Sequence, residues 1–241
     1  TLADASSTVY THAGVDAYRR LIALTDEYAL DVFRVRGGKQ HDLAMHALAT
    51  DVTFDNLSFG EARPGSLAGP EYEWGDLQLN DGDMKGHPNQ PYWNPPPGNG
   101  YGFLVQPAWA EPAANWSATW LFKDKDDVRF QLVALRDGDE KVANALAPGL
   151  YPTSPQARHV IRRRAAENLS SCFVSVWQVG AGGSSSVRLL RRVDSGPALS
   201  ADSAFVVGVE LADGKRDLWA VAPSAGAVVR ADHTGRKHPE N

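Results

Sequence analysis

Period-two alternation of apolar residues dominates this chain, and almost nothing in it keeps the 3.6-residue period of a helix. Tyr28, Leu30, Val32 and Val35 set the pattern in one clear run, which ends at Gly37-Gly38. Similar short runs recur at Tyr18–Leu24, Asp42–Ala49, Val52–Leu57, Phe103–Ala108, Trp116–Phe122 and Val128–Leu135. Others are His159–Arg164, Ser171–Val179, Val187–Val193, Ala204–Glu210, Asp217–Val221 and Ala227–Arg230. Weaker runs are Val9–His12 and Glu73–Leu79, and Gly, Pro, Asp or Asn separates most neighbours. Such spacing predicts an all-β chain of antiparallel sheets stacked as a multi-sheet β-sandwich. Too many strands are counted for an eight-stranded ligand barrel. Asp139–Leu146 carries the best helical period, and Pro148, Pro152 and Pro155 follow it, so Asp139–Arg158 reads as a crossing or a minor boundary.

With 241 residues the chain can bury a substantial core. Residues 1–186 read as the main sandwich and 187–241 as a smaller C-terminal sheet region. A formal net charge of −5 argues against a general nucleic-acid binder, which would present a basic face. No apolar run approaches a membrane span, so no membrane partner is expected. The single cysteine, Cys172, excludes an internal disulfide and reads as a core residue. The chain begins at Thr1 without a methionine and reads as a fragment of a longer product.

Several polar residues sit on or beside strands that look half buried. Arg19, Arg20, Asp31, Arg34, His41 and His46 form one such group. Buried polar groups are costly unless paired, so they form either a satisfied network or a site. Arg19 and Arg20 alternate faces, and whichever points inward is placed to pair with Asp31 across the hairpin. In the functional reading an arginine here grips a sugar carboxylate through two parallel hydrogen bonds. His41 and His46 are five apart and face opposite sides of one strand, which disfavours a shared metal. Each is a hydrogen-bonded structural residue or a substrate contact. Asp42 is placed either to orient His41 or to make an ordinary turn.

The most basic stretch, Arg158 and Arg162–Arg164, reads as a solvated face or as a patch that attracts an anionic polymer. The Pro-rich stretch from Asp81 to Gly102 carries Tyr92-Trp93-Asn94. Loop aromatics are not needed for a core, so Tyr92 and Trp93 suit stacking on a sugar ring or docking on a neighbouring domain. Trp116 and Trp120, four apart, share a face and read as core.

Two blocks carry a family resemblance. Tyr18-Arg19-Arg20, Asp31–Arg36, Gly37-Gly38, His41-Asp42 and His46 form the first; Ala157–Arg164 and Leu169–Trp177 form the second. Together they resemble the β-sandwich part of heparinase II/III-like polysaccharide lyases. The resemblance implies the distal portion of an enzyme that joins an N-terminal α/α toroid to antiparallel sheets. The parent reaction would be β-elimination on a uronate-containing acidic polysaccharide, in a secreted or periplasmic protein. Such chemistry needs a base, an acid and a group to neutralise the uronate carboxylate.

The family's toroid residues and its His-x-His element are not in this sequence. The chain alone is therefore expected to contribute a cleft wall and substrate binding, with little catalysis. No cofactor is expected in it, and a divalent metal such as zinc is expected only in the complete protein. Arg19, Arg34, His41, His46, Tyr92 and Trp93 are the substrate-binding candidates. A non-catalytic carbohydrate-binding or structural sandwich is the competing reading.

Overall fold

The computed structural model describes residues 1–8, 11, 14–49, 51–73, 100–122, 127–147, 157–181, 185–223, 228–232 and 237–238. Its strands begin with β1 (Leu2–Ser6), β2 (Val15–Leu24), β3 (Ala29–Gly37), β4 (Gln40–Ala47) and β5 (Asp51–Asp55). After a 3-10 turn at Tyr101–Phe103 come β6 (Val105–Ala110), β7 (Trp116–Phe122), β8 (Val128–Ala134) and β9 (Lys141–Ala147). Then follow β10 (Ala157–Ala165), β11 (Ser170–Gly180), β12 (Val187–Arg192) and β13 (Phe205–Leu211). The series closes with β14 (Arg216–Val221), β15 (Val228–Asp232) and β16 (Lys237–His238).

Among the described residues these strands form three sheets. Sheet A has the order β1-β2-β3-β11-β8-β7-β5, sheet B the order β4-β10-β9-β6, and sheet C is the meander β12 to β16. Neighbouring strands pair antiparallel throughout. The protein is thus an all-β antiparallel sandwich, as the alternation predicts. No helix among the described residues is long and apolar enough to cross a membrane.

Sheet A is the middle layer, and the reason lies in β3 and β11. Both are apolar on two faces, as a strand covered on each side must be. Leu30, Val32, Cys172, Val174 and Val176 point one way and join Leu190, Phe205, Val207, Val209 and Trp219 of sheet C in one core. Phe33, Val35 and Phe173 point the other way and meet Leu43, Met45, Val142 and Val160 of sheet B, with Trp116 and Trp120 alongside. Trp116 and Trp120 are core residues, as their spacing predicts. By contrast, β14 alternates exposed and buried along its whole length, so sheet C turns its other face outward.

The structure corrects the reading of Asp139–Leu146 as a crossing with a helical period. Alanine favours a helix locally, yet Lys141–Ala147 is a strand between β10 and β6. Val142, Ala143 and Ala145 are fully buried, so both faces of β9 are covered. Ladder bonding and two-sided burial outweigh a propensity of tenths of a kcal/mol per residue. The β3–β4 turn needs its glycines. Gly37 and Gly38 have φ of 95° and 76°, and a Cβ on Gly37 would lie 2.1 Å from the Gly14 carbonyl oxygen.

Candidate functional site

The hairpin residues divide by face. On the side of sheet A toward sheet C, the Arg19 Nε donates to Asp4 Oδ1 at 2.7 Å, and its Nη atoms reach Asp4 Oδ2 and the Pro223 carbonyl. Arg34 is 4% exposed; its Nη1 donates to the Ala201 carbonyl at 2.8 Å and its guanidinium lies 5.2 Å from the Phe205 ring centroid. Burial pulls the Arg34 pKa down. On the opposite face Arg20, and not Arg19, makes the cross-hairpin ion pair: its Nε and Nη2 meet the two Asp31 oxygens at 2.9 and 2.7 Å. Trp177 Nε1 also donates to Asp31, at 3.1 Å.

His41 and His46 face opposite sides of β4, His41 buried and His46 exposed. The His41 Nε2 lies 2.6 Å from the Gly37 carbonyl and must donate to it. That assignment leaves Nδ1 to accept the Ser171 hydroxyl at 2.9 Å. Burial lowers the His41 pKa, in keeping with a neutral ring. Asp42 turns away from His41 and serves other residues instead. Tyr92 and Trp93 lie outside the described residues.

The basic run Arg162–Arg164 is not a solvated face. Arg162 is fully buried between sheets A and B. It donates to Glu140 from Nε (3.1 Å) and Nη2 (2.8 Å), and to the Leu135 carbonyl, the Val174 carbonyl and the Ser175 hydroxyl. Trp116 Nε1 donates to the other Glu140 oxygen at 3.0 Å. Arg164 is buried too, and desolvation depresses its pKa.

Only Arg163 of the three reaches the outer face of sheet B, where polar and aromatic groups gather. The β4–β10 register sets Arg163 opposite Asp42, Ile161 opposite Ala44, and His159 opposite His46. Arg163 holds Asp42 through two parallel hydrogen bonds, each 2.8 Å. The Tyr101 hydroxyl donates to Asp42 at 2.6 Å. The Arg163 guanidinium lies 5.0 Å from the Trp109 ring centroid and 5.9 Å from that of Tyr101. Burial, reinforced by Asp42, pushes the Tyr101 phenol pKa up, so this phenol stays neutral.

A groove of about 420 Å³ opens beside Arg163, lined also by Glu111, Arg136, Asp139 and Lys141. At the far end of the face the rings of His46 and His159 stack at 4.2 Å with planes 4° apart. Burial, then the His46 ring, lowers the His159 pKa to about 4. Among the described residues no group of three or more His, Cys, Asp or Glu could hold a metal ion. This face can offer aromatic surface, the stacked imidazoles of His46 and His159 and alternating charge to a polar ligand. Sequence reasoning missed Tyr101, Trp109 and His159 as neighbours because they meet only through contacts distant in sequence: the β10 register for His159, the β6–β9 pairing for Trp109 and the bond to Asp42 for Tyr101.

No protein-family profile matches the chain, and no curated protein matches it. A solved structure of a heparinase III gene product aligns with 92% of this chain at a TM-score of 0.50 and 9% identity. The chain shares its fold, distantly, with part of that protein. It spans about a quarter of the other's length, at 25% coverage, and at 9% identity the likeness shows the fold alone.

Proposed function

We propose that the chain is the β-sandwich portion of a heparinase II/III-like polysaccharide lyase, with the open margin of the outer face of sheet B, around Arg163 and the groove beside it, as part of the wall of its substrate cleft. The observation that carries this reading is the alignment: nearly the whole chain matches a quarter of heparinase III. That proportion leaves room in such an enzyme for an α/α toroid domain, which supplies the missing half of the cleft. The complete protein would act outside the cytoplasm, by β-elimination on a uronate-containing polysaccharide.

Elimination removes the proton α to a carboxylate, so positive groups near the sugar acid and flat aromatics under the ring are the useful wall chemistry. Arg163 and Lys141 supply the charge, and Trp109 and Tyr101 supply the rings. His46 is the hairpin candidate on this face, with Tyr92 and Trp93 proposed as further contacts. Arg19 and Arg34 lie on the side of sheet A toward sheet C and His41 on the buried side of β4, away from this face, so they are not assigned to substrate.

The second reading, a carbohydrate-binding module without catalysis, draws on the Tyr101 phenol, which is held neutral and unsuited to act as a base. The test is to incubate the complete protein, toroid included, with uronate polysaccharides and follow the ultraviolet absorbance of the unsaturated product. Absorbance growth that weakens through a raised KM in Trp109→Ala or Lys141→Ala supports the lyase reading. No growth on any acidic polysaccharide sinks it, and Trp109-dependent binding of neutral glycans would then favour the module.

A further inference from the structure

Sheet B has two edges, and the fold treats them differently. At β6 the edge is closed: Pro107 and a register shift between Val105 and Ala108 interrupt it, and the Trp109 and Pro107 carbonyls accept the Gly60 and Arg63 amides at 3.0 Å each. The other edge, β4, runs from Gln40 to Ala47 with no proline, no lysine and an unbroken register to β10. Among the described residues nothing pairs with its other side. An edge left this way offers a row of unpaired N–H and C=O groups to an extended chain. Sheet A also runs on beyond β4. Leu43 and Met45 of β4 pack with Val15 and Tyr18 of β2, and no residue of β1 joins that core. On the sheet B side this overhang carries Ala3, Ala5, Ile22 and Leu24, all exposed, Leu24 at 54%. Leu21 and Ala23 on its reverse side are buried.

We propose that the open edge of β4 and the stripe of Ile22 and Leu24 together seat one further β-strand, apolar at alternate positions, from the polypeptide ahead of Thr1 in the parent protein. A strand set about 4.8 Å beyond β4 and about 10 Å above sheet A lies over β1 and β2, and every second side chain falls on the stripe. Main-chain pairing supplies the affinity of such an addition, and the alternate side chains supply the selectivity. A helix could cover the stripe but could not pair the edge. The overhang excludes a second copy, because two β4 strands joined about a two-fold axis would drive both copies of β1 and β2 into one space. The source of the strand rests on the lyase reading, in which the parent protein continues ahead of this chain. Thr1 sits at the stripe itself: its nitrogen donates to the Leu24 carbonyl at 3.0 Å, and its carbonyl accepts the Leu24 N–H at 2.7 Å. Three or four extended residues, at about 3.3 Å each, span the distance from sheet A to the level of sheet B.

Amide hydrogen exchange of β4, measured in the 241-residue chain and in the complete protein, tests the inference without reference to activity. Amides on the open side of β4 should exchange at least about a hundredfold more slowly in the complete protein. The double variant Ile22→Thr with Leu24→Thr keeps strand-forming residues. It should leave the unfolding midpoint of the 241-residue chain nearly unchanged, lower that of the complete protein and restore fast exchange to β4 there. Equal exchange in the two proteins, or an equal effect of the double variant on both, would overturn the assignment. So would protection of β4 in the isolated chain that grows with concentration, the mark of a second copy. A protected β4 in a complete protein that releases no unsaturated product from any acidic polysaccharide would leave the strand in place and sink the lyase reading alone.

Discussion

At the residue scale the interior is held by arginines whose partners are unequal. Arg162 has an acceptor for each of its three nitrogens, and the Glu140 carboxylate carries its charge. Breaking one side of a fully buried ion pair strands the other, at about 3–5 kcal/mol. Glu140→Ala should lower the urea unfolding free energy by that amount, because Trp116 Nε1 loses its acceptor as well. A loss below about 1 kcal/mol would show that the pair is idle. His159 makes a separate prediction. Unfolded, it titrates near 6.5; folded, near 4. Between those values the unfolded chain binds a proton that the folded chain refuses, so stability falls as pH drops from about 6.5 to about 4. The lowered His41 pKa acts in the same sense. His159→Gln should flatten this part of the pH–stability curve without removing its slope, as thermal unfolding across the range would show. An unchanged slope would mean that His159 is protonated in the folded state.

At the element scale, alternation made most strands legible, because a strand with one covered face repeats every two residues. β3 and β11 were legible as strands but not as inner ones: β3 reads as alternating and half buried, whereas Asp31-Val32-Phe33 and Cys172-Phe173-Val174 are buried on both sides. β9 was not legible as a strand, since an alanine-rich strand covered on both faces has the composition of a helix. Its pairing with β10 and β6 is a long-range fact that no local window contains. The candidate face shares that limit. The spacing of His41 and His46 shows that they point apart, but His159 and Arg163 meet β4 only through the register of β10. The β3–β4 turn tests how firmly that register is set. Gly37 combines a positive φ with a carbonyl in the path of any Cβ, and its own carbonyl accepts from His41. Gly37→Ala should cost more than the roughly 1–3 kcal/mol of a strained backbone position, whereas Gly138→Ala, at a similar φ of 85° but with no heavy atom closer than 3.7 Å to its Cβ, should cost that backbone strain alone. Equal losses in chemical denaturation would remove the steric argument.

At the scale of the molecule, the three layers share one structural dependency. Sheet C is built entirely after Val187, yet it is fastened to the middle sheet by both packing and polar contacts. The Tyr28 hydroxyl donates to Asp217 at 2.5 Å and accepts from Trp219 Nε1 at 2.7 Å, while Arg230 reaches the same Asp217 oxygen at 3.0 Å. Arg36 pairs with Asp202, and Arg34 caps the Ala201 carbonyl. Beneath these lie Leu21, Leu30, Val32, Val174 and Val176, none more than 3% exposed. Uncovering a large aliphatic side chain costs about 1.5–3 kcal/mol, and five together approach the whole stability of a typical domain, about 5–15 kcal/mol. Arg34 would at the same time lose its carbonyl and its aromatic cover. A chain ending at Ser186 should therefore aggregate or unfold without a cooperative transition, in size-exclusion chromatography and urea titration alike. If residues 1–186 instead stayed monomeric and unfolded at the midpoint of the full chain, sheet C would be a separable domain. The buried contacts of Arg34 and Tyr28 would then be ornaments of the interface instead of its support.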